Sequence, residues 1–217
     1  MSTPVTASAD SPPSPVSKPE PRIDRRRLRS ARTKQAIIEA YLALLREAPQ
    51  VPTSTLIAKK AGCSVRSIFE RFVDLHALRV AATDYAFAEA TAQVATSDAS
   101  GGRQERIRTH VRTRGAICDR WLPLWRALNA NRGESVELNS RMVLMRQAIL
   151  KRIELMYSPE LSTLPDLQRR QILIVIESLI DFESWGRMRD YNGLDFEEAC
   201  TVWIQAIDRL LPATPVS

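Results

Sequence analysis

The chain has 217 residues, enough for one ordinary domain or for a small one joined to a larger one. Seven residues are glycine, and six of the 13 prolines fall before residue 22; so little glycine argues against sandwiches, barrels and glycine-rich phosphate loops. The net charge of +6 is unevenly placed, since residues 1–80 hold 14 basic and 7 acidic side chains and residues 81–217 hold 17 and 18. A basic head on a near-neutral body implies a polyanionic partner, either nucleic acid or an anionic membrane surface.

The compartment follows from what is missing. The first cation is Lys18 and no apolar run follows it, so no secretory signal is expected. The longest aliphatic run, Ile172 to Ile176, is five residues, against the ~20 that span a bilayer. Cys63, Cys118 and Cys200 are odd in number and widely separated. That usage fits a soluble protein of the reducing cytoplasm, with no zinc site or other cofactor expected.

In chain order, residues 1 to about 21 are rich in Ser, Pro, Thr and Ala with no apolar periodicity, and are predicted to be disordered. Five arginines follow within residues 22–29. They read either as a solvated linker or as an arm along a phosphate backbone. Helical spacing is predicted from Thr33, with Ser30 or Thr33 as its cap, and Pro49 and Pro52 close the segment. A short helix is expected from Thr53 or Ser54 to Ala61, another from Val65 to about Phe72 behind a Ser64 cap, and a longer one behind Asp74. Beyond Gly102 the pattern predicts helices from Arg103, with Pro123 bending it or starting a successor, from Ser135 to Tyr157, from Pro165 to about Arg189, and from Asp195 to Leu211. The prediction is all-α, about nine helices, divided into a tail at 1–29, a three-helix unit at 30–78 and a helical-bundle body at 79–213.

Leu56 to Phe69 carries the functional signal. Two short helices joined by a glycine-containing turn, the second with a polar and basic exposed side, match helix-turn-helix architecture. A small Ala58 lets the helices cross closely, Gly62 permits a positive φ, and Ser64 caps the second helix, whose first residues would meet base edges in a major groove. The run Ile57-Ala58-Lys59-Lys60-Ala61-Gly62-Cys63-Ser64, then Ile68-Phe69-Glu70-Arg71-Phe72, Asp74 and Leu78 resembles the DNA-binding region of the TetR family of transcriptional repressors. The resemblance covers residues 37–78 and implies a helical ligand-binding and dimerisation body. It departs from the family pattern at Phe69, where Tyr is usual, at Arg71, where His is common, and at Leu75, where Lys is usual.

By position, Val65, Arg66 and Ser67 would face base edges, and Arg66 suits the O6 and N7 of guanine or else a phosphate. Thr53, Ser54, Thr55, Phe69, Arg71 and the arm residues Arg25, Arg26, Arg27 and Arg29 would face phosphate and sugar. Lys59 and Lys60 read equally as a solvated face. A single helix-turn-helix covers only a half-site, so a homodimer on a pseudo-palindrome is expected. Ile172, Ile176, Leu179, Trp203, Ile207 and Leu210, on the last two predicted helices, are the expected interface. The resemblance also implies an effector cavity, for which Trp121, Trp125, Met142, Met145, Met156, Tyr157 and Phe182 are candidates, with His110, Arg114 and Asn129 to orient a small molecule.

An enzyme is the weaker reading. The two histidines, His76 and His110, lie outside any H-E-x-x-H pattern, G-x-S-x-G does not occur, and no catalytic residue is expected. An all-helical interaction or membrane-surface protein is the remaining alternative, but the arm offers Ile23 and Leu28 without aromatic anchors.

Overall fold

The computed structural model describes residues 25–48, 50–97, 100–130 and 135–215, with side chains from Arg27 onward. The segment expected to be disordered, residues 1–21, lies outside the described residues, as do the side chains of Arg25 and Arg26. Among the described residues there are ten α-helices, one π-helical turn and no strand. The helices are α1 (Arg25–Glu47), α2 (Ser54–Ala61), α3 (Val65–Phe69), α4 (Leu75–Ala95), α5 (Arg103–Asn129), α6 (Val136–Met156), α7 (Ser158–Leu161), α8 (Asp166–Leu179), α9 (Phe182–Gly186) and, after the π-helical turn Arg187–Tyr191, α10 (Phe196–Leu210).

Most starts are written in local chemistry. Thr53, Ser64, Asp74, Ser135, Asp181 and Asp195 each accept a hydrogen bond from a free N–H of the turn that follows. At α10 the cap is reciprocal, because Asp195 accepts from the Glu198 N–H and Glu198 accepts from the Asp195 N–H, both at 2.8 Å.

Five expectations change. The first helix starts at Arg25 rather than near Thr33, so Arg25 to Arg29 belong to α1 and not to a disordered tail. Arginine is a good helix former, and the Thr33 hydroxyl caps nothing, donating instead to the Arg29 carbonyl one turn back at 2.9 Å. The second short helix stops at Phe69. The segment 165–189 is broken after Leu179, where Asp181 accepts from the Ser184 N–H at 2.6 Å and starts α9. The chain also forms an unforeseen α7, whereas α5 passes through Pro123 unbroken.

The core is organised around α5, which packs against α1, α4, α6, α9 and α10. Trp185 and Trp203 are the largest fully buried side chains and lie with ring centroids 4.9 Å apart. Their indole N–H groups are satisfied by Asp119 Oδ1 (3.2 Å) and Ser184 Oγ (3.3 Å). A side-chain carbon on Gly115 would stand 2.9 Å from Trp185 Cη2 and 3.3 Å from Cys200 Sγ, so glycine is what lets α5 approach α9 and α10. Cys118 and Cys200 are buried, and desolvation pushes both thiols up to about 11.

A buried ion pair closes the far end of the body. The Arg106 guanidinium holds Glu160 through both carboxylate oxygens, at 2.7 and 3.0 Å, and also donates to the carbonyl of Met156. Thr214, past the end of α10, donates to the same carboxylate at 2.6 Å. Burial alone would raise the Glu160 pKa, but the bonds from Arg106 and Thr214 outweigh it and hold the group below the usual carboxylate value. Arg106→Leu, which leaves that carboxylate buried and unpaired, is expected to cost about 3–5 kcal/mol in urea unfolding, and Arg106→Met with Glu160→Met to recover most of the loss. Gly115→Ala is expected to destabilise by about 1–3 kcal/mol in the same assay, because the Trp185 ring is wedged and cannot swing away.

Candidate nucleic-acid interface and interior cavity

The α2–turn–α3 unit is built as its residues dictate. Gly62 adopts φ 65°, ψ 34°, and its N–H and that of Cys63 return to carbonyls of Ala58 and Lys59, which closes α2. Ser64 Oγ then accepts from the Ser67 N–H at 3.1 Å and opens α3. Ile57, Ala58 and Ile68 are buried, as are Ile37 and Tyr41 of α1; α2 packs on α1, and α3 packs on α2.

What remains outside is a compact polar and basic surface. Arg66 is the most projecting member, its side chain 87% exposed and 3.0 Å from Glu70 on the next turn. Thr53 and Thr55 are exposed, and Val65, Ser67 and Ser54 are half-buried beside them. Phe69 is exposed despite its size. Arg71 is half-buried and donates to the Ser67 carbonyl at 2.9 Å, so part of its guanidinium braces α3. Lys60 is tied to Glu47 of α1, whereas Lys59 is exposed. Arg27 and Arg29 lie exposed on the first turns of α1.

A cavity of about 170 Å³ lies between α4, α5 and α6, with Phe182 of α9 at one side. Each long helix contributes one stripe. On α4 it is Thr83, Phe87, Ala90 and Val94; on α5 His110, Arg114, Ile117 and Trp121, continuing through Trp125; on α6 Arg141, Met145, Ala148 and Arg152. Trp121, Trp125, Met142, Met145 and Phe182 therefore border one space, with His110 and Arg114. Tyr157 and Met156 do not border it. Both are fully buried, and the Tyr157 hydroxyl lies 2.7 Å from His110 Nδ1, a layer behind the wall. Asn129 also lies apart and donates to Glu183.

The cavity wall is basic. Arg141 is held by both oxygens of Asp84, and Arg152 donates to the Ser97 carbonyl and hydroxyl. Arg114, 7% exposed, donates from Nε to the Ile180 carbonyl at 2.9 Å and lies 4.9 Å above the Phe182 ring, which stacks in turn on Trp125. Among the described residues, no Asp or Glu borders the space. Burial, reinforced by the positive charges of Arg152 and Arg114, lowers the His110 pKa from 6.5 to about 3, so its imidazole is neutral near pH 7.

No family model matches the chain, and no curated protein matches it in sequence. In structure it is similar to a TetR-family transcriptional regulator from Streptomyces coelicolor, with a TM-score of 0.67 at 19% identity over 83% of this chain and 80% of that one. The chain has the TetR-family fold. A TetR-like transcriptional regulator from Rhodococcus sp. aligns with a TM-score of 0.61 at 14% identity over 87% of this chain and 97% of that one. A multidrug binding protein, EbrR, complexed with imidazole, aligns with a TM-score of 0.59 at 15% identity over 89% of this chain and 94% of that one.

Exposed apolar side chains occur on α6, at Val136, Val143, Leu144 and Leu155, as well as on α8 and α10. Ile176, Trp203 and Ile207, expected at a subunit interface, are instead fully buried within the chain, because α8 and α10 each turn one side onto the body. Ile172, Leu179 and Leu210 are half-buried. On these two helices the apolar residues that do face outward are Leu167, Ile174 and Val175 of α8 and Val202 of α10. No helix among the described residues is long and apolar enough to cross a membrane.

Sequence reasoning passed over the α4 wall of the cavity and, on α6, found Met142 and Met145 but not Arg141, Ala148 and Arg152. The signal was present as spacing: Thr83, Phe87, Ala90 and Val94, like Arg141, Met145, Ala148 and Arg152, recur at i, i+4, i+7 and i+11. His110 supplies a pH test. An unfolded chain takes up a proton on His110 as pH falls below about 6.5, whereas the folded chain resists until about 3. Its contribution to stability is complete above that range and is lost as pH falls through it. Urea midpoints at pH 7.5 and 5 are expected to differ less for His110→Phe than for the wild type.

Proposed function

We propose that the protein is a DNA-binding transcriptional regulator, a homodimeric repressor that holds a pseudo-palindromic operator until a small molecule enters the α4–α5–α6 cavity. The observation that carries this reading is the Ser64-capped α3 with Arg66 projecting from it, on a TetR fold whose basic charge is concentrated in the first 80 residues. Val65, Arg66 and Ser67, at the start of α3, are proposed to meet base edges in a major groove. Thr53, Ser54, Thr55, Phe69 and Arg71, with Arg25, Arg26, Arg27 and Arg29 at the start of α1, are proposed to face the backbone. Two such units are joined through the outward residues of α8 and α10, with Leu179 and Leu210 at the edge.

Release is proposed to run through α4. This helix starts directly after the helix-turn-helix and supplies one wall of the cavity, so a ligand that shifts α4 re-aims α3. Two further contacts bind head to body: Arg46 of α1 lies over the Trp121 ring at 5.6 Å, and His76 Nε2 lies 3.2 Å from Ser135 Oγ at the start of α6. The imidazole complex of EbrR supports a ligand-receiving role for a body of this shape.

Selection of random duplex DNA, followed by mobility shift across a salt series, tests the reading. A two-fold related pair of half-sites is expected to be enriched. Arg66→Ala is expected to flatten preference at one position per half-site by about 1–3 kcal/mol. Arg27→Ala with Arg29→Ala is expected to weaken all sequences alike and to lower the salt slope by about 2. A folded dimer that enriches no sequence at low salt would overturn the proposal.

A further inference from the structure

The chemistry of the cavity wall narrows what the space can hold. Its surface is made mainly of aromatic, methionine, leucine and alanine side chains, which favour an apolar body. Its polar members are threonine hydroxyls, a histidine and three arginines, and among the described residues no acid faces the space. Such a wall disfavours a cation.

Arg114 stands out among the interior arginines. Buried Arg106 has Glu160 and half-buried Arg141 has Asp84, each pair joined by two hydrogen bonds, while half-buried Arg152 donates to the Ser97 carbonyl and hydroxyl. For Arg114 the bond formed is Nε to the Ile180 carbonyl, and no carboxylate of the described residues stands within ion-pair distance. Asp181, next to that carbonyl, has one oxygen committed to the N-terminus of α9. The residue is 7% exposed and lies at the cavity wall, its guanidinium carbon 4.9 Å from the centre of the Phe182 ring. A buried cation without a counter-charge is costly, and a planar carboxylate is the group that a guanidinium's remaining N–H groups match best. Nearby His110 is neutral and adds no charge of its own to the wall.

We infer that the cavity binds a lipophilic carboxylate, its head group on Arg114 and its apolar body along Trp121, Trp125 and Met145. This rests on the reading of the cavity as an effector site and names the chemical class of that effector.

Trp121 and Trp125 make the full-length protein its own reporter. Tryptophan fluorescence is titrated with decanoate, decanol and decylammonium, each below its micelle-forming concentration, without DNA. Decanoate is expected to bind at least about tenfold more tightly than either of the others, the gain typical of one charge-assisted contact. In Arg114→Gln, and in Arg114→Leu as a second variant, decanoate is expected to fall to the level of decanol while decanol itself is little changed. Equal or tighter binding of decanol or decylammonium to the wild type overturns the inference, as does binding of none of the three. A folded variant that keeps the carboxylate preference overturns it as well. If both variants unfold, the wild-type series decides. Mobility shift on the selected DNA is scored separately: a protein that prefers decanoate but never binds DNA refutes the regulator and leaves this inference standing, and the converse result refutes this inference alone.

Discussion

Where the Trp185 ring lies on Gly115, the two helices approach so closely that a single added carbon would be in collision with the ring. This contact sets the distance of α9 and α10 from α5, and α5 is the element that the rest of the chain shares. One side of it carries Trp203 and Cys200 of the α10 layer. The other faces α4 and α6 across the cavity, and its middle meets α1 of the head. A helix used from so many directions has few free positions. Its Arg106, His110 and Arg114 are accordingly buried and specifically engaged, on Glu160, on Tyr157 and on the Ile180 carbonyl.

The interior polar groups divide by how completely they are satisfied. Arg106 and Glu160 neutralise each other and fasten the beginning of α5 to α7 and to the segment after α10. His110 and Tyr157 satisfy each other without net charge, since burial lowers the pKa of the imidazole and raises that of the phenol. Arg114 keeps its charge at the edge of an apolar space with a carbonyl as its hydrogen-bond partner, a costly arrangement unless something negative visits it. The cavity itself exists because α4 presents Ala86 and Ala90 where larger side chains would close it.

Local chemistry was the legible part of the sequence. Thr53, Gly62, Ser64, Asp74 and Asp195 each act within three or four residues of themselves, and the helix starts and the turn they mark stand where their identities place them. What the sequence hid was non-local. Residues 172–176 are apolar on every side, so nothing in their pattern separates Ile176, sealed inside, from Ile174 and Val175 facing out. That division depends on which face α6 and α10 occupy. The extension of α1 back to Arg25 was hidden for another reason: arginines give no apolar stripe, and helix propensity alone is a weak signal. Tyr157 was misplaced at the cavity because periodicity gives direction around a helix but not depth, and it sits one layer behind His110.

The cysteines are sorted by the same packing. Cys118 and Cys200 lie sealed in the α5–α10 layer with thiols whose pKa is raised, which slows any electrophile that must meet a thiolate. Cys63, half-buried in the turn, is the thiol with solvent access. A maleimide dye would therefore mark the native chain at one chosen place without any engineered cysteine, three residues from Arg66 and beside the surface on which α3 is presented.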